Sequence, residues 1–181
     1  MKYQLIYADP PWNYSDKSKH RGGAERHYPT MRLSELEELE VPATDDSVCL
    51  MWATYPQLPS AIALLQKWGF SYKTVAFTWA KTYEGTGNFC IGMGHYTRAN
   101  PEVCLLGVRG RGLKREDAGV RNLQVHPRAK HSKKPDAIRG EIERLFGDVS
   151  RLEMFARNRA LGWDVWGNEI PNSTEITSAP N

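Results

Sequence analysis

The tetrapeptide Asp9-Pro10-Pro11-Trp12 brings together groups that could hold and stack an aromatic amine. Two consecutive prolines fix φ and remove two backbone donors, so the turn is predicted to be stiff and to present bare carbonyl oxygens. A carboxylate beside a rigid carbonyl places two acceptors at one point, which matches an amino group with two protons to donate. The adjacent indole supplies a flat face on which an extruded nucleobase could stack.

Such a turn suits methyl transfer to the exocyclic amine of a base. The amino nitrogen of adenine is a poor nucleophile, because its lone pair is delocalised into the ring. Acceptors on its protons draw the nitrogen towards sp3 geometry and offset positive charge as a methyl group arrives. The amine of cytosine could use the same acceptors. Taken alone, the tetrapeptide is equally compatible with a rigid turn that buries a tryptophan.

Two further clusters carry polar groups directly after predicted strands or before a predicted helix. The first cluster comprises residues 153–157, 162–163 and 166–169, where polar side chains follow apolar segments, as in a site for a small polar ligand. The second is His131-Ser132-Lys133-Lys134-Pro135, which places two lysines before a helix. Considered alone, the first cluster is better explained by tryptophan packing in the core with charge on the surface, and the second by a basic loop end.

Strands alternate with helices along the chain, which predicts an α/β fold. The predicted strands are residues 3–8, 47–53, 73–80, 102–108, 151–156 and 163–166. A capping-box pattern from Ser34 to Glu37 predicts one helix, and apolar spacing predicts two more that stop at Gly69 and Gly147. Mixed strand direction is expected where two strands follow each other without a helix. We expect a single domain over residues 1–170 and a disordered polar tail over residues 171–181.

The positive charge of the chain is concentrated in one segment. The net charge is +3, yet residues 109–134, the basic segment, hold nine Lys or Arg against two acidic residues. This segment is predicted to be a loop that contacts a polyanion, although a solvated surface loop is the simpler explanation for any charge run. The predicted phosphate contacts are Arg111, Lys114, Arg115 and Arg121.

The remaining composition indicates a cytoplasmic protein. The longest apolar runs are the length of a strand and far too short to span a membrane, and the N-terminus lacks the pattern of a secretory signal. Cys49, Cys90 and Cys104 are odd in number and form no C-x-x-C pair, so buried free thiols in a reducing compartment are expected. No metal site is predicted.

The order of the motifs along the chain resembles the MT-A70 family of adenine N6-methyltransferases. The motifs are Asp9-Pro10-Pro11-Trp12, Leu50-Met51-Trp52-Ala53-Thr54, Gly94-His95-Tyr96, Glu102-Val103-Cys104-Leu105-Leu106-Gly107-Val108, Ser132-x-Lys134-Pro135, Phe155-Ala156-Arg157, Gly162-Trp163 and Gly167-Asn168-Glu169. Many amino-methyltransferases share the tetrapeptide loosely, but a tryptophan as its fourth residue points to this branch. The resemblance spans roughly residues 3 to 169.

The resemblance implies a Rossmann-like fold that binds S-adenosylmethionine, with the motifs in permuted order. The catalytic turn, residues 9–12, would lie near the N-terminus and the main cofactor strand near the C-terminus. Asp9 and the Pro10 carbonyl would hold the target amine, Pro11 would complete the turn, and Trp12 would line the base pocket. His27 and Tyr28 lie in a segment that resembles the loop closing over the substrate.

The same resemblance assigns a set of residues to the cofactor. Lys134 would pair with the methionyl carboxylate, Phe155 and Arg157 would line the cofactor pocket, and Asn168 and Glu169 would reach the ribose. Arg159 is added to this set, although the link between Arg157 and Gly162 varies in length within the family.

The chain begins eight residues before Asp9 and has no room for a separate target-recognition domain, like the compact bacterial and phage members. DNA is therefore favoured over RNA as the substrate, and we expect a monomer or a homodimer. An RNA adenine N6-methyltransferase is the first alternative, and a cytosine N4-methyltransferase is less favoured. A catalytically silent nucleic-acid-binding partner is the alternative from another class, but silent members alter the tetrapeptide, whereas Asp9 is intact here.

Overall fold

The fold is taken from a computed structural model, which describes residues 1–12, 30–129 and 133–178. The strands are β1 (Tyr3–Ala8), β2 (Ala43–Ala53), β3 (Ser71–Thr82), β4 (Glu102–Arg109), β5 (Leu123–Pro127), β6 (Arg151–Met154) and β7 (Asp164–Trp166). The helices are α1 (Leu33–Glu37), α2 (Leu58–Lys67) and α3 (Ala137–Phe146), and a short 3-10 turn, Tyr55–Gln57, leads into α2. The chain is thus a mixed α/β protein, as the alternation of patterns predicts.

All seven strands form one sheet in the order β5-β3-β4-β2-β1-β6-β7. Strand β1 is parallel to both of its neighbours, with Ile6 opposite Cys49 of β2 and Leu152 of β6. Strand β4 is antiparallel to both β2 and β3, while β5 is parallel to β3 and β7 is parallel to β6. The expected change of direction therefore falls at β4, which follows β3 without an intervening helix.

This topology gathers the ends of many strands at one edge of the sheet, which we call the site edge. The carboxyl ends of every strand except β4 lie there, together with the first residue of β4, Glu102. The opposite edge, which we call the far edge, carries the last residue of β4, Arg109. Ligands of open α/β sheets bind beyond the carboxyl ends of the strands, so we expect the functional site at the site edge.

Side chains of the central strands alternate between two buried faces, because successive residues of a strand point to opposite sides of the sheet. Ile6 and Ala8 belong to a core shared with α1 and α2, whereas Leu5 and Tyr7 belong to a second core shared with α3. Helices therefore cover both faces, which is why β1 is apolar at almost every position. Cys49 and Cys104 are buried and free, as predicted.

The glycine stops at the helix ends are confirmed, but the capping box is displaced. Gly69 follows α2 with φ +83°, and Gly147 follows α3 with φ +72°, the left-handed region that favours glycine. Helix α1 begins at Leu33 rather than after a Ser34 cap, because the Glu35 carboxylate accepts the Arg32 backbone N–H at 2.6 Å.

The strands differ from the prediction in several places: β2 and β3 begin four and two residues earlier than predicted, one strand was missed and another ends early. Strand β5 lies within the basic segment, which was predicted to be a loop throughout. It pairs with β3 at the edge of the sheet and alternates exposed residues with half-buried ones, so it carries no strong apolar run. Strand β6 ends at Met154 rather than at residue 156, because Phe155 has φ +61° and turns the chain out of the sheet.

Residues 172–178, part of the predicted polar tail, make specific contacts. Ser173 donates its backbone N–H to the Val165 carbonyl at 2.8 Å, and its Oγ accepts the Val165 N–H at 3.1 Å. The Thr177 carbonyl accepts the Glu40 N–H at 3.0 Å, and Ile176 packs against the α1–α2 core. These contacts attach the segment to β7 and to the chain that follows α1.

No helix in the described ranges is long and apolar enough to cross a membrane.

Candidate active site

The tetrapeptide leaves the sheet at the site edge, directly after β1, and folds into a tight turn. The Pro10 carbonyl accepts the Trp12 N–H at 2.8 Å, and the Pro11 carbonyl accepts the Met31 N–H at 2.9 Å. The prediction that these carbonyls are bare is therefore wrong, because the turn closes on itself and the returning chain pairs with it. Each carbonyl oxygen has two lone pairs, so the Pro10 oxygen can still accept a second donor.

Trp12 is buried and anchors the turn to the end of β2. Its Nε1 donates to the Trp52 carbonyl at 3.1 Å, and Trp52 Nε1 in turn donates to the Tyr7 hydroxyl at 2.7 Å. The buried hydroxyl of Tyr7 has a pKa well above its usual range, because burial disfavours the phenolate. The indole of Trp12 is therefore a fixed wall rather than an exposed platform, and it lines a cavity with Asp9.

Four charged side chains of alternating sign form a row of ion pairs, and three of them, Asp9, Lys134 and Glu102, line this cavity. Lys134 Nζ donates to Asp9 Oδ2 at 2.8 Å and lies 3.2 Å from Glu102 Oε2. Glu102 Oε1 is 2.5 Å from Lys81 Nζ. All four side chains are largely shielded from solvent, with the Glu102 and Lys134 side chains 9% and 11% exposed. The structure thus joins the ends of β1, β3 and β4 with the segment before α3.

Burial and pairing pull the pKa values of these groups in opposite directions. Burial raises the pKa of Asp9 above its ordinary value, and the Lys134 ammonium opposes this shift. Burial also acts to raise the pKa of Glu102, but Lys134 and Lys81 more than offset it, so this pKa is lowered. Lys134 is disfavoured by burial as a cation, yet the two carboxylates raise its pKa overall. Lys134 is therefore charged throughout the neutral range.

Glu102 and Lys81 were not predicted to belong to the site. Glu102 opens an apolar strand and one of the motifs that carry the resemblance, but no role was predicted for it, and Lys81 lies near the end of β3. Their placement follows from the antiparallel direction of β4, which brings its first residue to the site edge beside Asp9. A glutamate opening a strand that is otherwise apolar was the one local signal available.

A second cavity adjoins the first and contains three of the predicted cofactor residues. Phe155, Arg157 and Lys134 line it together with Asp9 and Glu153. Asp9, Lys134 and Arg157 also line the first cavity, so the two cavities meet at these side chains. The Phe155 ring packs edge-to-face on Trp166, with ring centroids 5.3 Å apart, because the positive φ turns this residue away from β6.

A buried ion pair forms part of the floor of the second cavity. Arg139 of α3 donates from Nε and Nη2 to both carboxylate oxygens of Glu153 on β6, at 2.7 and 2.8 Å. Its Nη1 also donates to Asp136 at 2.6 Å. Burial raises the pKa of Glu153, while Arg139 opposes that shift. This bidentate pair, which we call the Arg139–Glu153 fork, fixes the start of α3 relative to β6. It thereby also fixes the position of the neighbouring Lys134. Arg139 was not predicted as a site residue.

The other predicted cofactor residues do not line either cavity. Asn168 and Glu169 follow β7 at the site edge and are exposed, and the Glu169 carboxylate lies 3.8 Å from Arg157 Nε. Arg159 is exposed and donates to the Pro171 carbonyl at 2.8 Å. The structure therefore brings Lys134, Phe155 and Arg157 to the catalytic turn. Asn168, Glu169 and Arg159 lie outside the lining of the cavities.

The predicted nucleic-acid contacts are not brought to the catalytic turn. Arg111 follows β4 at the far edge, where it pairs with Asp46 at 2.6 and 2.8 Å, and Lys114 lies 3.4 Å from Glu116. The length of β4, roughly 23 Å, separates this end from Glu102. Arg115 is exposed in the same stretch. Arg121 lies beside the middle of β3, since the next residue, Asn122, donates to the Val75 carbonyl. His27 and Tyr28 lie outside the described residues.

Comparison with known proteins places this geometry in a family. Residues 3–169 match the family described as MT-A70. The chain is 41% identical to the Type II methyltransferase M.MunI of Mycoplasma sp, over 97% of this chain and 81% of that protein. It is 30% identical to the N(6)-adenosine-methyltransferase catalytic subunit METTL3 of Homo sapiens and 31% identical to the MT-A70-like protein of Drosophila melanogaster. Those two alignments cover 93% of this chain but only 28% and 27% of the relatives. The chain, with its Asp9 turn at the meeting point of two cavities, belongs to the MT-A70 family.

Proposed function

We propose that this protein transfers a methyl group from S-adenosylmethionine to the exocyclic N6 of adenine in DNA. The observation that carries the proposal is the position of Asp9. Its carboxylate stands between the two cavities at the end of β1, ion-paired to Lys134 and beside the Pro10 carbonyl. One cavity can thus receive the base and the other the cofactor, with the acceptor for the amine between them.

Asp9 is proposed to accept one N–H of the target amine, and the second lone pair of the Pro10 oxygen accepts the other. The ion pair with Lys134 holds the carboxylate in place before the base arrives, so little reorganisation accompanies the reaction. Trp12 and Trp52 are both buried and line the first cavity. There they form the sides of the base pocket and exclude water from it. Negative charge at Asp9 offsets the positive charge that develops on the nitrogen.

The groups around the second cavity fit S-adenosylmethionine, which carries a carboxylate, an ammonium, a sulfonium, ribose hydroxyls and an adenine. When bound, it supplies the methyl group. Lys134 and Arg157 offer cations for its carboxylate, Asp9 and Glu153 offer anions for its ammonium, and Phe155 offers an aromatic face for its ring. We assign the ribose to Asn168 and Glu169 on the rim, with Arg159 beside them.

The strand order supports a Rossmann-like methyltransferase fold with permuted motifs. The strand that carries the catalytic turn, β1, comes first in the chain, and the strand that leads to the proposed cofactor residues, β6, comes near the end. These two strands are adjacent and parallel in the sheet, so their ends face the same crevice.

DNA is favoured over RNA by the relative that matches over most of its length, which is named a Type II methyltransferase. The relatives named N(6)-adenosine-methyltransferases match over about a quarter of their own length. They support an RNA substrate as the alternative. A silent binding partner is disfavoured because Asp9 is intact and held by Lys134. We place the protein in the cytoplasm, on the basis of its three free cysteines, as a monomer or homodimer.

The proposal is tested by methyl transfer from labelled S-adenosylmethionine to matched DNA and RNA pools, followed by nucleoside analysis. N6-methyldeoxyadenosine is the expected product. Label found only in N6-methyladenosine of RNA would show that the substrate is RNA and not DNA. Label in N4-methylcytosine would show that the target base is cytosine. No label, with measurable cofactor binding, would contradict the proposed activity.

A further inference from the structure

The connection between β3 and β4, residues 83–101, is rooted in the active site. It starts after Thr82 and ends before Glu102, both at the site edge. Close to its two ends, Lys81 of β3 and Glu102 of β4 are ion-paired to each other, and Glu102 also contacts Lys134. Both ends of this connection therefore lie beside the cavity that contains Asp9.

This connection has a fixed shape. The Asn100 side chain donates to the carbonyls of Lys81 and Cys90 at 2.8 and 2.6 Å and accepts the Lys81 N–H at 2.9 Å. At Gly92 and Gly94 the chain passes so close to itself that a Cβ would lie 2.7 and 2.0 Å from a backbone oxygen. Only glycine fits at these two positions, so the turn is built for close backbone contact.

The outer surface of the connection is apolar. Eleven large apolar side chains are exposed in the described ranges, and five of them lie in these nineteen residues: Tyr83, Phe89, Ile91, Met93 and Tyr96. The exposed fractions of Phe89, Ile91 and Met93 are 61%, 72% and 70%. They occupy alternate positions, and the intervening Cys90 is buried. A concentration of this kind marks a surface that meets a partner.

The chemistry of the surroundings selects a nucleic acid as that partner. Glu84 is the only acidic residue among residues 83–101, which also contain Arg98 and His95. The guanidinium of Arg128 stacks over the Tyr83 ring, 5.2 Å from its centroid. Phe, Ile and Met are side chains that proteins insert between base pairs to unstack a duplex, and the basic groups beside them suit phosphates.

We propose that residues 83–101 form a wedge that enters the DNA duplex next to the target adenine. Phe89, Ile91 and Met93 fill the space between base pairs and keep the adenine extruded, while Arg98 and Arg128 contact the flanking phosphates. The inference rests on the proposed function, because an adenine inside a duplex cannot reach an acceptor that lies within a cavity, as Asp9 does.

The test compares Ile91→Ser/Met93→Ser with a control, Tyr72→Ser/Leu161→Ser, which removes exposed apolar side chains elsewhere. Substrates are duplexes carrying a site that the wild-type protein methylates, with the target adenine either paired or opposite an abasic position. The wedge variant should lose about tenfold or more in kcat/KM on the paired duplex and little on the abasic one, where extrusion costs less. The control should match the wild type on both.

A readout without chemistry accompanies the rates. With 2-aminopurine in place of the target adenine, the wild type should raise the fluorescence and the wedge variant should raise it less. Equal loss on both duplexes, or no loss, would overturn the wedge. A loss that tracks dissociation of a dimer in sedimentation would assign the surface to a second copy of the chain instead. Failure of the proposed function is separate, because the wild type would then methylate neither duplex.

Discussion

Lys134 lies between two carboxylates, so its charge determines how readily Asp9 is ionised. Burial already raises the pKa of Asp9, and the ammonium of Lys134 is the main force opposing that rise. Only the ionised Asp9 carboxylate carries the negative charge that offsets the positive charge developing on the amine, so methyl transfer requires a pH above the pKa of Asp9. Acidification through that pKa should therefore lower the rate.

Lys134→Met should move the acid limb of the pH–rate profile to higher pH, because the burial remains and the opposing cation is lost. The variant should also bind S-adenosylmethionine at least about tenfold more weakly, through the loss of a charge-assisted contact. Single-turnover rates across pH and calorimetry measure the two effects. Lys114→Met is the control, since Lys114 lies at the far edge and pairs with Glu116 instead. An acid limb at the same pH in Lys134→Met and in the wild type would show that Lys134 does not set the pKa of Asp9.

At the scale of elements, the bidentate ion pair between Arg139 and Glu153 links α3 to β6. Both side chains are 11% exposed, so removal of one partner leaves a buried charge without compensation. Arg139→Ala should lower the free energy of unfolding by about 3–5 kcal/mol, measured by urea denaturation. Arg139→Met combined with Glu153→Met should restore most of that loss. If the single variant is as stable as the wild type, the fork does not hold α3 in place.

The basic segment divides into a part at the far edge and a part near the active site. Arg111 and Lys114 already pair with acidic residues at the far edge, whereas Arg128 lies beside Tyr83 at the site edge. Arg128→Ala should flatten the dependence of log affinity on log salt by about 0.9 on duplex DNA.

Lys114→Ala/Arg115→Ala is the matched variant at the far edge, and it should keep the wild-type salt slope. Filter binding or fluorescence anisotropy over a range of salt concentrations measures both slopes. A slope flattened by the far-edge variant alone would restore the phosphate contacts predicted from the sequence and would place the DNA on the other end of the sheet.

Elements with a strong local pattern could be predicted from the sequence. Strand β1 is an apolar run cut off by two prolines, so its end and the position of Asp9 were both evident. Strand β5 was not, because an edge strand needs only one partner and keeps Leu123 and Val125 exposed. The residues Leu123-Gln124-Val125-His126 do alternate apolar and polar, but this run is only four residues long and lies within a highly charged segment.

Site residues whose roles depend on tertiary pairing could not be predicted. Lys81 and Glu102 are 21 residues apart, and Arg139 and Glu153 are 14 residues apart. The missing helix between β3 and β4 indicates a change of direction, but nothing local indicates that β4 pairs with β2 and so brings Glu102 near Lys134 and Asp9. The residues found by resemblance were those in contiguous motifs, and Lys134, Phe155 and Arg157 do line the cavities.

At the scale of the whole molecule, residues 172–178 make contacts that connect β7 to the region after α1. Deletion of residues 172–181 should therefore lower the free energy of unfolding by roughly 1–2 kcal/mol, the size typical of a lost set of packing contacts. Ile176→Ser should account for part of this loss, since Ile176 packs on the core. Unfolding should remain a single transition, as expected of one domain. An unchanged midpoint in thermal or urea unfolding would support the disordered tail predicted from composition.

The central claim is that the Asp9 carboxylate activates the adenine amine for methyl transfer, and Asp9→Asn tests it most directly. The measurement is the single-turnover rate of methyl transfer to adenine in DNA, made on protein whose S-adenosylmethionine affinity and unfolding midpoint are determined in parallel. Asp46→Asn, which alters an ion-paired carboxylate at the far edge, is the control. Asp9→Asn should lower the rate by about 10²–10³ with fold and cofactor binding retained, because the charge that offsets the developing cation is lost. A wild-type rate in Asp9→Asn would contradict the claim.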